Sequence, residues 1–297
     1  MKKLLLTGSS GLIGGIVKPV LEESYEVLTL DIADNGKTDF VADIADYEQV
    51  NEALKGIDTV VHLAANKYNR SFDELYRPNI KGTANVFRAA EERGVRRVIF
   101  ASSVRADEGR LFNKDYNFNE DSIDLETRLP KKTFSEEDVP EPIIPYGISK
   151  TYGELLAQRF AQIAGKSADS LRIGAVQSSD ELPKIKSELN LFIRYCYLSH
   201  GDLQGYFKAL MKHDKSDYEV FYLVSNNRYN LWSPEKAMRI LGYEPKDSDY
   251  VFMEFFGRRK FNVLDRYALY RMWSELMRDC GLNRIDFQLS EPHEKIP

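Results

Sequence analysis

The chain has 297 residues, 43% of them hydrophobic, and 41 Lys and Arg against 46 Asp and Glu for a formal net charge of −5. That acidic balance, with no long basic run, argues against nucleic acid and anionic membrane surfaces as partners. No apolar stretch is long enough to span a bilayer, and Cys196 and Cys280 lack metal-ligand spacing, so they read as reduced thiols of a cytoplasmic protein.

Met1-Lys2-Lys3 leads into Leu4–Leu6, too short for the apolar region of a signal peptide and therefore a strand. Strand and helix patterns then alternate. Apolar runs at Leu4–Leu6, Val27–Leu30, Thr59–Leu63 and Val98–Ala101 read as strands, and Leu12–Glu23, Tyr47–Lys55, Asn79–Arg93 and Tyr146–Gln162 as helices. Pro19 sits inside the first helix, where a proline removes a donor and kinks the axis. Residues 107–142, rich in Asp, Glu, Asn and Pro, interrupt the rhythm as a long surface excursion. Beyond Arg172 the pattern becomes less regular and more aromatic. A last amphipathic helix, Val263–Cys280, carries Leu264, Ala268, Met272 and Leu276 on one stripe. The alternation predicts an α/β fold of Rossmann type, a doubly wound parallel sheet with a smaller C-terminal substrate domain. Residues 1–172 would form the dinucleotide-binding part and 173–297 a substrate region partly interleaved with it.

The first strand runs into Gly8, Gly11 and Gly14 at a strand-to-helix junction. There a bare backbone can approach a pyrophosphate, and the N–H groups of the helix start meet its charge. The second strand ends on Asp31, about 20 residues on, where an acid accepts hydrogen bonds from an adenosine ribose and repels a 2′-phosphate. The pair points to NAD and away from NADP. A second constellation opens the helix at Tyr146: Tyr146 and Lys150 share one face at i, i+4. The lysine cation, together with an oxidised nicotinamide, favours phenolate and makes the tyrosine a general base. The strand Val98–Ala101 delivers Ser102 and Ser103 to the carboxyl edge of the sheet, where ligands sit in open α/β folds.

In order along the chain stand TGSSGLIG (7–14), Asp31, Asp43-Ile44, HLAA (62–65), N-x-x-G-T-x-N (79–85), Ser102-Ser103, YGISK (146–150), LRIG (171–174) and LGYEP (241–245). With these motifs the chain resembles the extended short-chain dehydrogenase/reductases of the NAD-dependent epimerase/dehydratase family. The resemblance implies that Tyr146 is the base, Lys150 its partner on the nicotinamide ribose, Ser103 the group orienting the substrate hydroxyl and Asn79 a support of the proton relay. It implies further that Gly8, Ser10, Gly11, Leu12, Ile13 and Gly14 cradle the dinucleotide. Asp31 and Ile32 would meet the ribose, Asp43 and Ile44 would bracket the adenine, and Leu63, Ala64, Ala65, Asn79, Ala101 and Ser102 would line the cofactor.

Epimerases and dehydratases of this family usually carry an Asn soon after the Leu-Arg of the sixth strand; here the stretch reads Leu171-Arg172-Ile173-Gly174-Ala175. LRIG with the segments at 197–202 and 223–247 is more similar to uronate dehydrogenases and archaeal sugar and sugar-phosphate dehydrogenases. That similarity implies oxidation of a sugar, sugar acid or sugar phosphate at the anomeric hydroxyl, and the expected assembly is a homodimer. Ser103-Val104-Arg105 stands where uronate dehydrogenases have Ser-Asn-His. Lys67 and Arg105, with Gly174 and Ser103, are the candidate substrate contacts, and Arg70 and Arg194 are weaker ones. Two cations at one pocket imply an anionic substrate. His62 reads as a buried strand residue, and His200, His213 and His293 have no partners at metal spacing. The competing functions are a nucleotide-sugar epimerase or dehydratase, and an idle dinucleotide-sensing regulator.

Overall fold

The computed structural model describes residues 1–34, 36–67, 71–112, 133–163, 165–180, 193, 195–213, 217–227 and 230–248. Arg70, Arg194, Cys280, His293, the 263–280 helix and most of the 107–142 excursion lie outside them.

Seven parallel strands form one sheet in the order β3-β2-β1-β4-β5-β6-β7: β1 Lys3–Thr7, β2 Glu26–Asp31, β3 Phe40–Val41, β4 Thr59–His62, β5 Arg97–Ser103, β6 Ser167–Ile173 and β7 Tyr218–Leu223. Leu4, Leu5 and Leu6 are all fully buried, the near-continuous apolar run expected when helices cover both faces of a parallel sheet. On one face lie α2 (Tyr47–Ala53), α4 (Thr83–Glu92) and α5 (Pro145–Ala161), which pack Val50, Val86 and Ala157 on Val60 and Val98. On the other, α1 (Leu12–Glu22) packs against α6 (His200–Lys212), with Val17, Leu21, Leu203 and Phe207 over Leu6, Val61 and Ile99. The short helices α3 (Phe72–Leu75) and α7 (Glu235–Leu241) complete the set.

Local chemistry sets the helix ends. Asp46 caps α2 by accepting from the backbone N–H groups of Glu48 and Gln49, and Ser199 caps α6 by accepting from that of Asp202. Gly242 ends α7 in the left-handed region at φ 69°. Helix α1 runs on through Pro19.

One expectation changes: the helix expected over Asn79–Arg93 is in two parts, a π turn over Tyr76–Gly82 and a regular helix that starts at Thr83. Strand β6 ends at Ile173, and the chain beyond it returns to the sheet as β7 and to its covering layer as α6. Strand β6 reads SADSLRI, polar yet buried along its whole length. Its Asp169 is paired with the equally buried Arg97 of β5 at 2.6 Å, and Arg97 also donates to the Leu210 carbonyl at the end of α6. Breaking such a pair from one side costs about 3–5 kcal/mol.

Among the described residues no helix is long and apolar enough to cross a membrane.

Candidate active site

The chain order of the sheet reverses at β1, which lies between β2 and β4. Ligands of open α/β sheets sit at the carboxyl ends of the strands beside such a switch point. A cavity of about 410 Å³ opens there. One wall is the glycine turn, Gly8 and Gly11 to Gly14; another is the end of β4, Leu63, Ala65, Asn66 and Lys67; the floor is Ala101 to Ser103 with Tyr146 and Lys150. Ile173, Gly174, Ala175 and Val176 close the substrate side.

The turn is built around missing side chains. A Cβ on Gly14 would lie 2.5 Å from the Gly8 carbonyl oxygen and 2.8 Å from the Ser9 Cα. Gly11 precedes α1 with no side-chain cap and no acid in the first turn, so the opening N–H groups face the cavity without a competing carboxylate. Asp31 accepts from the Ser10 N–H at 2.9 Å and the Ala33 N–H at 3.0 Å, which ties the end of β2 to the turn. A bare backbone cradle, an open helix start and an acid at the end of β2 fit a dinucleotide: the turn would hold the pyrophosphate and Asp31 the adenosine ribose.

On the catalytic side, Tyr146 and Lys150 project from the first turns of α5. Lys150 is buried and donates from Nζ to the Ala101 carbonyl at 2.7 Å; its Nζ lies 5.5 Å from the Tyr146 ring centre. Burial pushes the Lys150 ammonium down to about 7, opposed by the Glu154 carboxylate. Burial pushes the Tyr146 phenol up to about 12, opposed by the charge of Arg105 and a hydrogen bond to Ser103. The lowering expected of the tyrosine does not follow from these residues alone: desolvation of the buried phenol outweighs the Arg105 charge and the Ser103 hydrogen bond that oppose it.

Several sequence candidates occupy other places than expected. Asn79 does not line the cavity. The π turn aims its amide at Asn66 and Ser149: Oδ1 accepts from the Asn66 N–H at 2.7 Å, and Nδ2 donates to the Asn66 carbonyl at 2.9 Å and the Ser149 Oγ at 3.0 Å. It bolts the end of β4 to α5, next to Tyr146. Ile44 is a core residue whose Cδ1 would sit 2.6 Å from a Cβ on Gly82, so its side chain is not turned to an adenine. Ile32 is largely exposed, and Asp43 is engaged by Arg77 at 2.7 Å. The Ala64 backbone is packed behind Gly8. Arg105, expected as a substrate contact, is paired with the buried carboxylate of Glu108 at 2.9 Å and is not among the described residues that line the cavity. Its charge acts on Tyr146 instead. Gly174 does line the cavity, and its missing side chain also lets the Cys196 carbonyl approach to 2.2 Å of where a Cβ would be.

Of the other lining residues, Asn66 directly follows the HLAA motif, Ile173 lies within LRIG and Ala175 directly follows it, while Val176 lies in no motif. Of the buried group behind the floor, Arg172 stands in the LRIG motif, while its buried partners carry no sequence signal. Glu154 accepts from the Ser102 hydroxyl at 2.5 Å and from Arg172 at 2.9 Å, and Arg172 reaches Asp107 and Tyr222. His62 is buried between Thr7 Oγ1 (2.7 Å) and Thr83 Oγ1 (3.2 Å), and burial pushes it down to about 3, a neutral strand residue. Among the described residues no cluster of His, Cys, Asp and Glu could hold a metal ion.

Residues 4–199 match the model of the NAD dependent epimerase/dehydratase family, and the chain belongs to that family of NAD-using enzymes. L-arabinose 1-dehydrogenase (NAD(P)(+)) of Haloferax volcanii is 29% identical over 86% of this chain and 100% of its own length. Uronate dehydrogenase of Pseudomonas putida is 31% identical over 84% of this chain and 86% of that one. Among solved structures, a mutated uronate dehydrogenase superposes with a TM-score of 0.69 at 27% identity, covering 88% of this chain and 87% of its own.

Proposed function

We propose that the protein is an NAD-dependent dehydrogenase of a sugar, sugar acid or sugar phosphate, acting on the anomeric hydroxyl. The carrying observation is that one cavity joins the glycine turn to Ser103, Tyr146 and Lys150. Bound NAD supplies the hydride acceptor. The Ser103 and Tyr146 hydroxyls grip the hydroxyl to be oxidised, and Tyr146 as phenolate takes its proton. Lys150 holds the ribose and favours the phenolate, while Ala101 to Ser103 fix the floor. Leu63, Ile173 and Val176 give the cavity apolar walls beside the reacting carbon. Dehydrogenation, more than epimerisation, is favoured because the stretch after Arg172 is small and apolar, without the Asn that would hold a nucleotide, and because the full-length relatives named above are dehydrogenases.

The substrate is read as an anion, gripped by Lys67 at the cavity wall. The working unit is read as a homodimer. Ile148 and Leu155 are exposed two turns apart on α5, an apolar face for a second copy of the chain. Aldoses, uronates and sugar phosphates offered with NAD, with NADH absorbance followed, test the proposal. NADH formed from one of these classes is expected, and no turnover with any of them would overturn it.

A further inference from the structure

Behind the cavity floor a line of alternating buried charges runs back from Lys150, and beyond the lysine the reaction as described does not use it. One turn further along α5, Glu154 is 4% exposed and faces the same way. Its Oε1 accepts from Ser102 Oγ at 2.5 Å and from Arg172 Nε at 2.9 Å, and its Oε2 accepts from Arg172 Nη2 at 2.9 Å. Arg172, on β6, is 1% exposed and continues to Asp107, whose carboxylate also receives the Tyr222 hydroxyl. Glu154 thus touches the strand end that carries Ser102 and Ser103, and it lies one helical turn from the lysine that partners the base.

We propose that Glu154 is a positioning residue of this active site: its carboxylate keeps Lys150 charged in a buried setting and pins the end of β5 through Ser102. The other groups around the lysine cannot hold its charge. His62 from β4 is kept neutral by burial, and Tyr146 on α5 is kept as phenol. Arg172 from β6 and Arg105 after β5 are cations. Asp107 stands one step further along the line than Glu154, holding Arg172 at Nη1 together with Tyr222, and Tyr218 from β7 is held as phenol by burial. Among the described residues, the anion that favours the charged form of Lys150 is Glu154. Arg172 in turn fixes the carboxylate by two hydrogen bonds, so that it cannot turn away from the floor.

The test uses NAD binding, which needs no sugar, so an error in the substrate proposed above would leave it readable. NAD is titrated calorimetrically into the full-length protein across a pH series. If the Lys150 ammonium serves the ribose, affinity falls as pH rises through its titration. Glu154→Gln keeps the size and most hydrogen bonds but removes the charge, so the fall is expected at a pH lower by about one unit or more. Glu154→Asp keeps the charge and should retain the wild-type midpoint even if binding is weaker throughout. A purely structural role would weaken Glu154→Gln at every pH alike, and an unmoved midpoint overturns the proposal. Should Glu154→Gln fail to fold because Arg172 is left unpaired, the double variant Glu154→Gln/Arg172→Met removes both charges together, and a smaller fall of the midpoint is expected, because the nearer Glu154 outweighs the Arg172 behind it; an unmoved or raised midpoint overturns the proposal.

Discussion

A Cβ built on Gly8 would stand 2.6 Å from the backbone nitrogen of Ala64, closer than real Cβ atoms come to any neighbour. Gly8 also has φ 72°, in the left-handed region. The contact locks the turn after β1 onto the end of β4, so two walls of the cavity share one backbone packing. Gly8→Ala should therefore lower the melting temperature, with a left-handed penalty of about 1–2 kcal/mol before any clash, and weaken NAD binding more than ten-fold. Gly56→Ala separates the two effects. It has φ 71° with nothing within 4 Å of the added methyl, so it should lose stability and keep NAD affinity. Equal NAD affinity in both variants would refute the coupling.

Cofactor choice should rest on Asp31. Its carboxylate already accepts from two backbone N–H groups, so it is fixed in place at the end of β2. A 2′-phosphate would meet that fixed negative charge, and NAD should bind more tightly than NADP by at least ten-fold. Asp31→Ala should shrink the preference, chiefly by weakening NAD. Calorimetric titration of both dinucleotides checks this.

The parts of the molecule that follow simple periodicity were legible from the amino acids. The runs Leu4–Leu6, Val27–Leu30 and Val98–Ala101 lie inside β1, β2 and β5, because strands covered on both faces are apolar throughout. The Tyr146–Lys150 pair and the glycine turn were legible because backbone approach and helical spacing demand particular residues at particular intervals. Strand β6 was not read from its pattern. Asp169 and Arg172 look like surface residues until their partners Arg97 and Glu154, far away in sequence, neutralise them. Asn79 was assigned to the cofactor by motif, and the π turn that redirects it leaves no mark in composition. Arg105 drew attention as a cation near the strand end, but the partner that claims it, Glu108, is a buried acid three residues on that a surface reading passes over.

The pH dependence of turnover should report Tyr146. Burial pushes its phenol up to about 12, and a general base must be deprotonated to act. The Lys150 ammonium and the positive charge of the oxidised nicotinamide both favour the phenolate in the working complex. Oxidation should therefore speed up as pH rises through the phenol's titration in that complex and slow as pH falls below it. Tyr146→Phe keeps the ring packing and removes the acceptor. It should lower turnover by roughly 10²–10⁴-fold and abolish the acid limb of the profile, with NAD affinity little changed. Steady-state rates across pH, with NAD titrations alongside, decide it. A variant with near-normal rate would overturn the assignment.

Substrate charge should be read by Lys67. Lys67 lies at the cavity wall, two positions past the HLAA motif, and is the cation proposed to meet the substrate. It is exposed, so solvent screens its contribution, and the lower end of a charge-assisted contact applies, about 1.5 kcal/mol or roughly ten-fold in binding. Lys67→Ala should raise KM for a uronate or sugar phosphate by about that factor and leave kcat nearly unchanged, because the contact is made in ground state and transition state alike. Neutral aldoses should be unaffected, so the variant narrows the gap between anionic and neutral substrates. Inorganic phosphate or sulfate should compete with the anionic substrate in the parent enzyme and compete less in the variant. Steady-state kinetics with matched anionic and neutral sugars make the comparison. A parent enzyme that prefers neutral aldoses, or a Lys67→Ala enzyme with the parent's KM for the anion, would remove the anion from the proposed function and leave the dehydrogenase reading to stand on Ser103, Tyr146 and Lys150.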